Sequence, residues 1–102
     1  MRLKLLTTAA AELDDAIYYY ENELPGLGRR FLNEVLLAFN RIADFPDAYP
    51  LLTAQNRRCL LAKFPYGILY HYDSLANEVL VLAIGHLHRK PDYWLSQPAA
   101  RP

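Results

Sequence analysis

The chain has 102 residues, which suits one domain of modest size and leaves no room for two ordinary ones. Hydrophobic residues make up 53%, enough for one packed core without covalent staples, and the lone cysteine, Cys59, excludes an internal disulfide. Eleven basic and eleven acidic side chains cancel, and this mixed, 22% charged composition excludes wholesale disorder. The cancellation hides a split. Residues 1–50 carry five cationic against eight acidic side chains, or −3, and residues 51–102 carry six against three, or +3. The C-terminal half therefore has the charge to face an anionic partner.

Arg2-Leu3-Lys4-Leu5-Leu6 alternates like a short strand. Its apolar run is too short for a signal peptide, and no run in the chain is long enough to span a membrane, so a cytoplasmic location is expected. Thr7 or Thr8 can cap a following helix, in which Leu13, Ile17, Tyr20 and Leu24 share one face and Glu12, Asp14, Asp15 and Glu21 lie near or on the others. Pro25-Gly26-Leu27-Gly28 breaks it. A second helix from about Arg29 carries an apolar stripe of Phe31, Val35, Ala38, Phe39, Ile42 and Phe45, and Pro46 and Pro50 end it. The two helices should form an antiparallel hairpin.

Three strands follow. Arg58–Ala62 is the first, and Phe64-Pro65-Tyr66-Gly67 turns into Ile68–Tyr72. Asp73–Asn77 is a hairpin loop, and Val79–Ile84, apolar on both faces, should be a central strand ended by Gly85. Residues 1–95 then form one α+β domain, and residues 96–102 are expected to be a flexible tail. Both helices should cover the same face of the sheet. Nothing in this pattern covers the second face, so its apolar side chains form a candidate partner surface.

The densest chemistry lies at Gly85-His86-Leu87-His88-Arg89-Lys90-Pro91-Asp92-Tyr93-Trp94. Cleaving RNA through its own 2′-hydroxyl needs a base, an acid for the leaving oxygen, and cations for the charge that develops on phosphorus. His86 or His88, Arg89 and Tyr93 are the right types, with Arg57, Arg58 and Lys63 able to join from the neighbouring hairpin. The alternative reading makes Arg89 and Lys90 solvated, the histidines structural, and Tyr93 and Trp94 a seal on the core edge. His86 and His88 share a strand face and could chelate zinc with His71. No cysteine or acidic ligand sits at a matching spacing, so neither a metal nor a cofactor is expected. Cys59, among apolar neighbours, reads as a core residue. Tyr20 reads as core, while Tyr18 and Tyr19 fit a contact surface.

From about Leu6 to Trp94 the sequence resembles the RelE/ParE superfamily of bacterial type II toxin–antitoxin toxins, often called plasmid stabilization proteins. The resemblance is carried by Ala11-Glu12-Leu13, Ala16-x-x-Tyr19-Tyr20, Pro25-Gly26-Leu27-Gly28-x-x-Phe31, Phe45-Pro46, Arg57-Arg58, Phe64-Pro65-Tyr66 and Tyr70. It ends in Val81-Leu82-Ala83-Ile84-x-His86-x-x-Arg89-x-Pro91-x-Tyr93-Trp94. It implies a small antiparallel sheet with an N-terminal strand and a helical hairpin on one face. It also implies a growth-inhibiting toxin, neutralised in a toxin–antitoxin hetero-oligomer by a cognate antitoxin that folds as it binds. RelE-like members are metal-independent endoribonucleases acting on ribosome-bound mRNA. The positions matching their site would be Arg58, Lys63, Arg89 and Tyr93, with His88 beside them. ParE-like members inhibit DNA gyrase. The zero net charge, the thin basic cluster and Leu87 in place of an arginine favour the ParE-like branch; a degenerate, non-toxic binding module is the third alternative.

Overall fold

The computed structural model describes residues 1–97, so most of the tail expected at 96–102 lies outside the described residues. The elements run β1 (Arg2–Leu5), α1 (Thr7–Glu23), α2 (Leu27–Asp44), β2 (Arg57–Leu60), β3 (Tyr66–Asp73), β4 (Glu78–His86) and α3 (Pro91–Leu95). The strand order is β1-β4-β3-β2. β2, β3 and β4 are antiparallel, as expected for consecutive strands with short connections, whereas β1 joins β4 in parallel, from Arg2↔Glu78 to Leu5↔Val81. The helical hairpin between β1 and the rest is the long connection that a parallel pair needs.

The hairpin forms where the sequence breaks. Gly26 sits at φ +91°, a left-handed turn that glycine adopts without penalty. Gly28 lies where the helices touch, since a Cβ there would fall 2.7 Å from the Ile17 carbonyl oxygen. Glu21 reaches over from α1 and accepts the N–H groups of Gly26 and Gly28, at 2.9 Å and 3.1 Å, satisfying free donors at the start of α2. The α2 stripe buries Phe31, Val35, Ala38 and Ile42, but Phe45 is exposed. On α1 the buried residues are Ala9 and Ala16, with Leu13, Ile17 and Tyr20 packed beside them, and Leu24 is exposed. Neither Thr7 nor Thr8 caps α1; Leu6 occupies that position and its N–H instead continues the sheet to Val81.

The helices cover one sheet face, against Cys59, Ile68, Tyr70, Val79, Val81 and Ile84. The second face is not bare. Trp94 of α3, a helix absent from the expected element order, is buried there against Leu69, Leu82 and Ala83, with Leu52, Leu80 and Leu87 around it. A register shift makes that second core possible. Leu69 pairs with Ala83 and Tyr70 with Val81, so Leu82 is an extra residue on β4. Leu82 and Ala83 then pack on the same side, and the alternation resumes with Ile84 toward the helices. Gly85 does not end the strand, which continues to His86.

Candidate functional site

The expected site residues sit on β2, the β2–β3 turn, the end of β4 and α3, and the structure divides them. Alternation along β2 sends Arg57 and Arg58 to opposite faces. Arg57 donates to the Tyr49 and Asp47 carbonyls at 2.8 Å and 3.2 Å, pinning the α2–β2 connection. Arg58 lies over the Trp94 ring, 4.9 Å from its centroid. Lys63 is exposed in the β2–β3 turn, which separates it from the arginines. His88 is exposed and its backbone N–H donates to His86 Nδ1 at 3.0 Å, with the two rings 4.7 Å apart. His71 binds the Gln55 carbonyl near the other end of the β3–β4 ladder, so the three histidines do not converge. Among the described residues no group of three His, Cys, Asp or Glu side chains is placed to hold a metal.

Arg89 and Tyr93 do come together, on a residue absent from the sequence-based candidates. β1 pairs with β4 only as far as Val81, and beyond it the Ile84 N–H has no strand partner. Glu12 of α1 fills the gap, with Oε1 accepting that N–H at 2.9 Å. Its Oε2 accepts the Tyr93 hydroxyl and lies 3.9 Å from Arg89 Nη2. Arg89 also stacks on the Tyr93 ring, with Cζ 4.1 Å from the centroid. Gly85 makes this corner possible, because the Tyr93 ring lies where a side chain at that position would be. Burial, and then the bond to Glu12, push the Tyr93 phenol well above its ordinary value. The sequence signal for Glu12 was its spacing from Ala9 and Ala16, three and four residues away, which places a carboxylate within the buried side of α1.

Two depressions flank this corner. A cleft of about 280 Å³ on the helix side includes Glu12, Asp15, Tyr19, Tyr66, His86 and Arg89 in its wall. A groove of about 300 Å³ on the second face runs between Arg58 and Arg89 over Leu87, Trp94 and Leu95. Tyr19 faces the first cleft, as its expected surface role requires, and Tyr20 packs among Phe31, Phe64 and Tyr66. Cys59 is fully buried, and desolvation raises its thiol pKa, consistent with a core residue.

Comparison with known proteins settles the family. A family model described as "ParE toxin of type II toxin-antitoxin system, parDE" matches residues 3–91. The chain belongs to that family. Similar solved structures include the chromosomal ParDE toxin–antitoxin system from P. aeruginosa, at TM-score 0.62 and 20% identity, covering 84% of this chain and 95% of that one. The RelBE2 toxin–antitoxin complex from Mycobacterium tuberculosis aligns at TM-score 0.57 and 22% identity, over 83% and 88% of the two chains. The isolated E. coli RelE toxin aligns at TM-score 0.57 and 18% identity, over 93% of each. No curated protein matches it in sequence. At these identities the structural matches speak for the fold. No helix among the described residues is long and apolar enough to cross a membrane.

Proposed function

We propose that this ParE-family toxin acts in the cytoplasm by inhibiting DNA gyrase, without an enzymatic site of its own, and is neutralised by a cognate antitoxin. The observation carrying this reading is that Glu12 engages Tyr93 and neighbours Arg89, while Lys63 stands apart from both on the β2–β3 turn. Tyr93 has its proton committed to Glu12 and its pKa raised, which keeps the phenol protonated and unavailable as a base at neutral pH. Arg89 already neighbours a carboxylate. Arg58 lies over Trp94, and Lys63 and His88 are exposed on separate segments. The groove left on the second face, apolar between two arginines, suits an antitoxin segment that orders on binding.

The RelE-like reading keeps one observation in its favour: Arg58 and Arg89 border the same groove, two cations where a phosphodiester would need them. Inducing the toxin alone and following thymidine and amino-acid incorporation in one culture separates the two. Thymidine incorporation should fall first. An earlier fall in protein synthesis, abolished by Arg89→Ala with antitoxin binding intact, would replace gyrase by the ribosome. Harmless expression in several hosts would reduce the protein to a binding module.

A further inference from the structure

The groove on the second face is one end of a longer track. Beside it lies a second depression of about 290 Å³, bordered by Pro50, Leu51 and Leu60. Leu52 and Arg58 belong to the walls of both, so the two adjoin. Leu95 at one end, and Leu51 and Leu60 at the other, are at least half exposed. Among the described residues no acidic side chain borders either depression. The two arginines on this track differ. Arg89 stands at the far end and already neighbours Glu12. Arg58 stands where the depressions meet and forms no ion pair among the described residues. It is also held in place. Gly67 leaves room for its stem, since a Cβ there would fall 3.1 Å from Arg58 Cδ and 3.2 Å from Cγ. Its guanidinium lies over the Trp94 ring.

We propose that Arg58 receives one carboxylate of the antitoxin, from an extended segment that sets an apolar side chain in the depression on either side of it. Charge and shape both select this occupant. A guanidinium over a ring keeps its fork of N–H groups free, and a carboxylate meets that fork with two parallel bonds. An arginine already fixed by Gly67 and Trp94 gives up little freedom when it pairs, so its unanswered charge is a prepared recognition point. The exposed leucines on both sides then ask for apolar partners. A nucleic-acid strand, with a charge at every nucleotide, would meet apolar surface on each side of this one cation. In an extended chain, side chains two apart share a face and stand roughly 6.5 Å from each other. The segment therefore reads apolar–x–acid–x–apolar. The proposal rests on the antitoxin reading above and adds the recognition pattern that reading leaves open.

The test measures, by calorimetry, the affinity of the toxin for its cognate antitoxin, expressed from the neighbouring reading frame. Arg58→Gln should weaken binding by at least about tenfold, the loss expected when a charge-assisted hydrogen-bonded pair is broken. Lys63→Gln removes the same charge from an exposed turn outside both depressions and should cost less than about threefold. Leu60→Ser and Leu95→Ser, exposed at the two ends of the track, should each cost at least about threefold. Arg58→Glu should abolish binding, and arginine at one acidic position of the antitoxin, with apolar residues two away on each side, should restore it. Absence of any complex with the wild-type toxin would overturn the antitoxin reading, and this proposal with it. A complex in which Arg58→Gln costs no more than Lys63→Gln, or in which no antitoxin position restores a folded Arg58→Glu, would overturn the proposal alone. Loss of toxicity in Arg58→Gln with full antitoxin affinity would overturn it too, because the track would then serve the toxin's target.

Discussion

Replacing Gly85 by alanine places a methyl carbon 2.7 Å from the Tyr93 hydroxyl oxygen and Cε2, and 2.9 Å from Cζ. Non-bonded carbons settle near 3.5–4.0 Å, so the ring must retreat by roughly 1 Å. It has little freedom to do so: its hydroxyl is bonded to Glu12, Arg89 lies on one face, and the next residue, Trp94, is buried. Losing a hydrogen bond to a charged acceptor costs about 1.5–3 kcal/mol. Alanine in a strand recovers about 0.5–1 kcal/mol of backbone entropy relative to glycine. The net expectation is a loss of about 1–2 kcal/mol, or a drop in Tm of about 5–15 °C for a domain of this size. Urea denaturation of Gly85→Ala in the wild-type and Tyr93→Ala backgrounds completes a double-mutant cycle. Without the phenol ring the three nearest clashes are gone, and the substitution should be neutral or stabilising by about 0.5 kcal/mol. An equal cost in both backgrounds would refute the reasoning, because the glycine would then be serving the strand rather than the ring.

Trp94→Ala should cost about 3–5 kcal/mol by emptying the second core, and the α3 amides should then exchange at the rates of an unstructured segment; a loss below about 1 kcal/mol would mean that α3 only rests on the sheet. High pH should also loosen the corner. The Tyr93 pKa is raised on folding, so its contribution is fully present below the ordinary tyrosine value of 10.0 and is lost as pH rises toward the folded value. Stability measured from about pH 10 upward should fall less steeply in Tyr93→Phe than in the wild type, with no difference expected below about pH 9; identical slopes above about pH 10 would place the titration elsewhere, with Tyr70, raised by burial in the same direction, as the next residue to test.

Local pattern was enough for the first two helices, the four strands and their order, but not for α3. The three- and four-residue spacing of Phe31, Val35, Ala38 and Ile42 requires a helix with one buried face, and Pro25-Gly26 supplies the break before it, although Leu27 and Gly28 already belong to α2. The doubly apolar run ending at Ile84 requires a strand covered on both sides, and β4 is central and buried on both. The same run already indicated that something must cover the second face, although Pro91–Leu95 is too short for its periodicity to reveal a helix.

The sequence by itself determined the two long helices, the four strands, most of the core and the family they compose, because hydrophobic spacing, turn chemistry and motif order are local properties; it missed α3 and placed Leu24 and Phe45, both exposed, on the core stripes. Only the tertiary structure decided the parallel pairing of β1, the extra residue at Leu82, and the corner where Glu12 meets Ile84 and Tyr93. Those bonds join residues 72 and 81 positions apart, and no local period encodes which distant N–H or hydroxyl a carboxylate will find. The candidate site shows the same division. Residue type made Arg58, Lys63, His88, Arg89 and Tyr93 equally eligible, but strand alternation, a turn and one unpaired stretch of sheet edge separated them, and joined Arg89 and Tyr93 to an acid that helical spacing had placed off the apolar stripe of α1.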